Sequence, residues 1–476
     1  MSERPGKDFL VSGNATKAGL PEKERLAHIN AVISEASKDS RFNLAQERKA
    51  AQLGDRIREL KHKVDTADSA AIKKAQRMVK DKFEVWMAEK EALYQSQEKV
   101  CFVCVDMDAF FAACETLRDP SLASVPMAVG NWSMLSTANY EARKYGVSAG
   151  MPGYLALKLC PQLKLVPIDF DLYRAKSAQV THVLSKYDPS MLMFSLDEAF
   201  LKLHSSNNDA DGVDHETYFG DVVQKMRHEV FEATGLTCSA GLALSARLAK
   251  MASNVNKPNG QFLISLTDSA LADEFWFRQP VRKVPGIGKV RTTMLEGVFN
   301  VHSCADLWNV RNSLPLAFKE KTLDFLLQCS IGHEPHGCSY FDVDDAEGAG
   351  QQKSISCERT FKSVLISDAY ILKLIPTLVE NVYEDAIASG IKGFRGIGIK
   401  VKSADFQIST RERSLSQVCT LSEEDRHTVA GEIDELVREF AEEKGKSYEV
   451  RLFGVRLSRL MANIEPGSIT GGSSAT

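Results

Sequence analysis

Residues 100–111, VCFVCVDMDAFF, constrain this chain more than any other stretch. A short run so rich in Val and Phe reads as a buried strand, and this one ends in two aspartates. Alternation puts Asp106 and Asp108 on one face and Met107 on the other. A carboxylate at the end of a buried strand is costly unless a cation compensates, but acidic strand ends are common and a metal role does not follow from this segment alone. A second acidic pair, Asp197 and Glu198, lies in MLMFSLDEAFLKL (191–203), which reads as two short strands around a polar turn. Asx-turn capping would account for Asp197, and surface solvation for Glu198. If this hairpin pairs beside the Val100 strand, three carboxylates converge. Hard oxygen ligands of that kind suit Mg²⁺ and phosphate substrates.

Cationic segments supply the complement. In STANYEARKYG (136–146), Tyr140 and Arg143 are three apart and share a face if the segment is helical. Arg143 could grip a phosphate bidentately and Tyr140 could donate its hydroxyl; the plain alternative is a surface ion pair beside a packed tyrosine. KPNGQF (257–262) puts Lys257 on a Pro-Gly turn. VPGIGKV (284–290) lies between helical patterns, and its Gly286 and Gly288 would let backbone N–H groups approach a phosphate, with Lys289 adding charge. It resembles the hairpin of a helix-hairpin-helix, which holds DNA backbone without reading sequence. The strand-like stretch 392–413 carries Lys392, Arg395, Lys400, Lys402, Arg411 and Arg413 against Asp405 and Glu412, a basic strand surface suited to phosphates.

Three other patterns carry less. Cys101 and Cys104 form a CxxC, but in an extended strand they face opposite sides and read as core. Cys329, His333, His336 and Cys338 cluster within ten residues at a spacing that matches no familiar zinc finger. GFRGIGIK (393–400) has close glycines but sits in a strand pattern with no helix after it, so it is not a dinucleotide motif.

At 476 residues the chain should hold roughly three or four compact units. Residues 22–98 read as helices with narrow apolar stripes and charged remaining faces, arms that lie on something else. Strands and helices mix over 100–266, with helical patterns across 112–165. Residues 268–335 read as helical, 341–352 as an acidic, Gly-rich linker, and 353–461 as a smaller α+β domain in which 353–362, 393–412 and 447–459 alternate like strands, separated by helical patterns at 366–389 and 421–443. The tail from 462 is low in complexity and expected to be disordered. Net charge is −4, but residues 1–100 carry 20 basic and 16 acidic side chains, so the total does not exclude nucleic acid. No apolar run reaches the roughly 18 residues of a membrane span. The first residues, MSERPGKDFL, lack both a signal core and a transit-peptide pattern, so secretion is not expected. Ten scattered cysteines fit a reducing compartment.

VDMDAFFAACE, STANYEARKYGVSAGMP, YDPSMLMFSLDEAFL, LAKMASNVNKPNGQF and VPGIGKV occur in one order, and together they resemble the Y family of DNA polymerases over about residues 100–460. KAGL, INAVISEASKDSRF, RKAAQLGDRIREL, SISCERTF and RLFGVRLS narrow the resemblance to a eukaryotic branch with an N-terminal helical clasp. The resemblance implies an α+β multidomain right-hand polymerase. The clasp would be 1–99, the palm 100–108 and 170–266, and small fingers 109–169. A helical thumb with the helix-hairpin-helix would be 267–340, a linker 341–352, and an α+β little finger 353–461.

It also implies that Asp106, Asp197 and Glu198, with the Met107 carbonyl, bind two Mg²⁺ ions, Mn²⁺ being an alternative. Phe110, Thr137, Tyr140, Arg143 and Lys257 would meet the incoming nucleotide, and Phe111 would be the steric gate beneath the sugar. Many sequences of that branch have Tyr there; a benzyl ring still blocks a 2′-hydroxyl but loses the phenolic donor. Gly286, Gly288, Lys289, Lys400, Lys402 and Arg411 would meet DNA. The implied activity is template-directed, low-fidelity addition of deoxynucleotides to a primer, tolerant of damaged templates, by a monomer in the nucleus, with a mitochondrial location left open. Family members often continue into zinc-binding modules and partner motifs that do not follow here, so a sliding clamp and other translesion factors are partners by resemblance alone. Because every metal and triphosphate candidate lies after Val100, the chain without residues 1–98 is expected to fold. Two other readings stay open: a nucleotidyl cyclase, which would not need VPGIGKV, and a DNA-binding scaffold, which would not need three carboxylates.

Overall fold

The computed structural model describes residues 23–205, 214–334, 352–366, 369–445 and 448–462. Three helices come first: α1 (Lys23–Ser37), α2 (Arg41–Asp65) and α3 (Ser69–Gln95). They lead into β1 (Lys99–Met107), α4 (Phe110–Arg118), β2 (Met127–Gly130), β3 (Leu135–Ala138), α5 (Tyr140–Arg143), α6 (Gly153–Leu159) and β4 (Lys164–Val166). Next come α7 (Phe170–Leu184), β5 (Leu192–Met193), β6 (Glu198–Ser205), α8 (His215–Thr234), β7 (Cys238–Ala243), α9 (Ala246–Ala252) and β8 (Gln261–Leu263). A helical run follows: α10 (Ser269–Phe277), α11 (Lys289–Phe299), α12 (Cys304–Asn309), α13 (Leu314–Ala317) and α14 (Glu320–Ile331). The last elements are β9 (Ser354–Leu365), α15 (Ala369–Ala388), β10 (Gly393–Ser403), β11 (Ile408–Thr420), α16 (Glu423–Lys444) and β12 (Glu449–Met461). Two units result. One takes the described residues through Ala36 and from Ala50 to 334; the other takes Ser37–Lys49 and the described residues from 352 on.

The first unit is built on a five-stranded sheet in the order β5-β6-β1-β7-β8. Its centre is β1, antiparallel to both β6 and β7. Cys101, Val103, Cys104 and Val105 are almost wholly buried, as a strand covered on both faces requires. Both cysteines are free thiols in the core. Helices α8 and α9 pack on this sheet. Residues 112–165, expected to be helical, instead include a small sheet in the order β3-β2-β4. Its strands are three or four residues long, too short for alternation to register in the sequence.

The N-terminal helices do lie on other elements. Ile29 and Ile33 of α1 complete a small core with Leu135, Val147, Met151 and Leu155. Val79, Phe83 and Tyr94 of α3 belong to the main core, where Phe83 stacks on Trp308 at 5.8 Å. A chain without residues 1–98 would therefore lose one wall of that core along with α3.

The second unit is an antiparallel sheet in the order β11-β10-β12-β9. Ile375, Leu378 and Val382 of α15 and Val429, Ile433 and Phe440 of α16 share a core with Phe394, Ile397, Ile399 and Val401 of β10. The stretch 393–412 is not one strand: it turns between Ser403 and Ile408, where Phe406 takes φ 67°. Residues Ser37–Lys49 dock on this turn. Phe42 meets Phe406 edge to face at 5.4 Å, and Arg41 and Arg48 pair with Glu449 and Asp405. His336, Cys338, the linker through 351 and the tail from 463 lie outside the described residues.

Candidate active site

Pairing of β1 with β6 sets Asp106 opposite Glu198, and the Met107 N–H donates to the Asp197 carbonyl at 2.9 Å. The hairpin thus lies beside the Val100 strand, the arrangement left conditional by the sequence. Of the three carboxylates, two share a lysine partner. Lys250 Nζ donates to Asp106 Oδ2 and to Glu198 Oε2, both at 2.6 Å. Lys257 Nζ donates to Asp106 Oδ1 and stands 3.5 Å from the Met107 carbonyl. The Asp197 side chain instead accepts from the Ser195 hydroxyl at 2.5 Å, within its own turn. Among the described residues no three His, Cys, Asp or Glu side chains are grouped as metal ligands. All three carboxylates line the same cavity, with Asp106 and Glu198 sharing Lys250 and Asp197 held on the wall by its own turn. Like charges this close repel, and two ammonium groups balance them.

The electrostatics follow. Burial raises the Asp106 carboxyl, but Lys250 and Lys257 outweigh it and hold Asp106 below its ordinary value. Burial raises Glu198, and Lys250 offsets only part of that. Burial pulls Lys250 down, yet Cys104, Asp106 and Glu198 around it keep it above the ordinary lysine value. Asp108 has a different role from Asp106. It is 4% exposed and accepts from the Thr237 and Ser239 hydroxyls and from the Asn259 N–H. Its lone pairs are satisfied by neutral donors, and it ties the Lys257 turn to the sheet.

Local sequence explains how Lys250 arrives. Ser245 caps α9 by accepting from the Leu248 N–H. Gly241 of β7 lets α9 lie flat on the sheet, since a Cβ there would fall 2.0 Å from the Ala249 carbonyl. Lys250 then projects from α9 over the ends of β1 and β6. The sequence signal was available but faint: a glycine in a strand pattern, marking close backbone approach, followed by a capped helix. Reading the motifs alone missed Lys250 and the anchoring role of Asp108.

These groups line one cavity of about 460 Å³, with Phe110, Phe111, Thr137, Arg143 and Lys257 on its walls. Thr137 is in β3. The Asn139 side chain accepts from the Ala142 N–H and caps the short α5, so Tyr140 and Arg143 follow on one helical turn. The Arg143 guanidinium lies over the Tyr140 ring at 4.5 Å, and its Nε donates to the Ala138 carbonyl. Phe110 is 2% exposed and serves as floor, whereas Phe111 is half-buried. Phe111 stacks on the wholly buried Tyr173, whose hydroxyl donates to the buried Glu115 at 2.6 Å.

Elsewhere in the first unit, VPGIGKV forms the turn before α11, which starts at Lys289 with Gly288 at its N-cap. Gly286 takes φ 90°, and a Cβ there would strike the Phe325 ring at 2.6 Å. In the second unit the basic strand surface divides. Lys400 and Lys402 pair across β10 and β11 with Thr410 and Ile408, while Arg411 and Arg413 pair with Ile399 and Ile397. The two arginines therefore share the face of the buried isoleucines. Arg411 pairs with Glu443, and Arg413 with Glu432, Glu435 and Glu439, all on α16. A single basic face carrying Arg411 with Lys400 and Lys402 is corrected on this ground: alternation sends them to opposite sides.

Comparison with known proteins agrees with this architecture. Residues 105–254 match the impB/mucB/samB family, and residues 352–470 match the C-terminal domain of that family. DNA polymerase kappa of Arabidopsis thaliana is 34% identical over 97% of this chain and 64% of its own length. The Homo sapiens protein of the same name is 34% identical over 94% and 57%. DNA polymerase IV of Cronobacter sakazakii is 33% identical over 77% of this chain and 98% of its own length. A Y-family DNA polymerase chimera of Dbh and Dpo4 superposes with a TM-score of 0.63, at 24% identity, over 76% of this chain and 100% of that one. The chain belongs to the impB/mucB/samB family, the Y family of DNA polymerases. Within it, relatives named DNA polymerase kappa are similar over nearly the whole chain, which spans 57–64% of their length.

Proposed function

We propose that this chain is a template-directed DNA polymerase of the translesion type, adding deoxynucleotides to a primer 3′ end. The observation that carries the reading is the Asp106–Glu198 pair at adjacent strand ends, on the floor of a cavity that also presents Phe111 and Arg143. The donor set fits hard divalent cations: carboxylate and carbonyl oxygens, with ammonium groups already gathered where positive charge is favoured. Asp106 and Glu198 would hold Mg²⁺, or Mn²⁺, with Asp197 and the Met107 carbonyl at hand. Bound there, such ions supply Lewis-acid activation of the primer hydroxyl and neutralise the leaving pyrophosphate.

Around them the chain's own groups position the substrate. Arg143 offers two N–H donors to the triphosphate, and Thr137 and Tyr140 offer hydroxyls. Lys257 offsets charge that accumulates on the phosphates. Phe111 closes the space a 2′-hydroxyl would need. Residues 100–108 and 170–266 would act as palm, 109–169 as fingers, 267–340 as thumb and 353–461 as little finger. Gly286, Gly288 and Lys289 would present backbone N–H groups and one charge to a DNA phosphate. Lys402, drawn below its ordinary lysine value by burial and then by Lys400, Arg451 and Lys49, marks a cation cluster suited to the same backbone. A nuclear location is part of this reading.

Primer extension with one added deoxynucleotide tests it, comparing the protein with Asp106→Asn and Glu198→Gln. Template-dependent extension that both variants lose, with DNA binding retained, is the expected result. Turnover of the triphosphate without primer would point to a cyclase. DNA binding without any turnover would leave a scaffold.

A further inference from the structure

The carboxylate pair raises a question that the polymerase reading leaves open: what holds it together before a divalent ion arrives. Asp106 and Glu198 are cross-strand neighbours in a fixed register, and like charges directly opposite in a sheet are destabilising. Their side chains are 17% and 19% exposed, so water screens them poorly. Lys250 spans the two, with one N–H on each carboxylate at 2.6 Å. Lys257 adds charge to Asp106 and, at 4.0 Å, to Asp108. An ammonium has three donors and no acceptor, so Lys250 occupies one oxygen of each carboxylate, Asp106 Oδ2 and Glu198 Oε2, that a cation would compete for. The strands that carry the carboxylates are held by the sheet. Lys250, by contrast, is at the end of a flexible four-carbon stem, so of the three groups it has the most ways to withdraw.

We propose that Lys250 is a built-in counter-ion of this pair, one that holds Asp106 and Glu198 together in the absence of a divalent cation, gives way when one enters, and thereby sets the affinity of the site for that cation. It is a positioning residue, and the proposal rests on the assignment of Asp106 and Glu198 as ion ligands. Removing its charge should have two opposite effects. The ion-free protein loses the balance of two buried carboxylates. A divalent ion meets no competitor and a more negative site.

Manganese binding to the full chain without DNA or nucleotide, read from the paramagnetic resonance of free Mn²⁺, tests this directly. Lys250→Gln should bind Mn²⁺ about tenfold or more tightly than the unmodified chain. Its unfolding temperature should fall in chelator and recover further on adding Ca²⁺ than that of the unmodified chain. Lys250→Arg, which keeps the charge, should stay close to the unmodified chain in both. Mn²⁺ affinity no higher in Lys250→Gln overturns the proposal. Asp106→Asn separates the two levels: if it binds Mn²⁺ as the unmodified chain does, the ligand assignment itself fails, whatever Lys250→Gln shows. Should Lys250→Gln not fold, reductive methylation of the unmodified chain still decides. Lys250 should be labelled faster with saturating Ca²⁺ than in chelator, and equal labelling overturns the proposal.

Discussion

Phe111 lies face to face with Tyr173, the ring centroids 4.1 Å apart and the planes 10° from parallel. Tyr173 is wholly buried and its hydroxyl is held by Glu115, so it fixes the ring above it. A gate against ribose works only if its ring cannot yield. Phe111→Ala is expected to raise the ratio of ribonucleotide to deoxyribonucleotide kcat/KM by about tenfold or more. Tyr173→Leu should move the ratio the same way by less, since Phe111 remains but loses its backing. Single-turnover rates with both sugars check this; an equal fall for both would mean that the pair only stabilises the core.

The two faces of the β10–β11 pair should separate by salt dependence. Lys402→Ala is expected to flatten the slope of log K against log salt by about 0.9 for duplex DNA, if its ammonium meets a phosphate. Arg413→Ala should leave the slope unchanged and lower the unfolding temperature, because its partners are three glutamates of α16. Binding titrations at several salt concentrations, beside thermal melts, distinguish the two. A slope that changes for Arg413→Ala would mean that the α16 face reaches DNA.

The N-terminal helices should matter to stability before they matter to DNA. Phe83 is 8% exposed and stacked on Trp308, so Phe83→Ala should cost about 3–5 kcal/mol in denaturant unfolding. A chain lacking residues 1–98 should unfold at lower denaturant than one lacking only 1–38. The shorter deletion removes Ile29 and Ile33 but spares α3. Equal midpoints would make α3 an appendage.

Asp106 gives a pH signature in the presence of chelator. Although burial raises its carboxyl, Lys250 and Lys257 bring it below its ordinary value. The folded state therefore binds this proton less readily than the unfolded chain. The stability that Asp106 contributes is fully present above the unfolded carboxyl pKa of about 3.9 and is lost as pH falls through the lower folded value. The advantage of the unmodified chain over Asp106→Asn should hold steady from pH 7 to pH 5 and shrink towards pH 3. An advantage that grows on acidification would contradict the ion-pair account.

Much of the site was legible without coordinates. The apolar run ending at Asp106, the polar turn holding Asp197 and Glu198, and the cationic segments around Arg143 and Lys257 all fall where the cavity is, because each is a local pattern: a buried strand, a tight turn, a capped helical turn. The strand alternation that separates Lys400 from Arg411 was also in the sequence. It was obscured because 393–412 reads as one strand, and the turn at Ser403–Gln407 sets which residues of β11 face β10. The short strands of 127–166 left no periodic trace at all.

What the sequence determined by itself was the set of elements and the residue types at their ends, since periodicity and turn chemistry act over a few neighbours. Tertiary structure alone decided which carboxylates meet and what balances them. Asp106 and Glu198 are 92 residues apart in sequence and meet only through strand register. Asp108, two residues from Asp106, is instead bound by Thr237, Ser239 and Asn259. Lys250 reaches the pair because Gly241 lets a helix lie close on the sheet. Such contacts depend on distance in space and on the cost of burying charge, and neither is written in any local stretch of the chain.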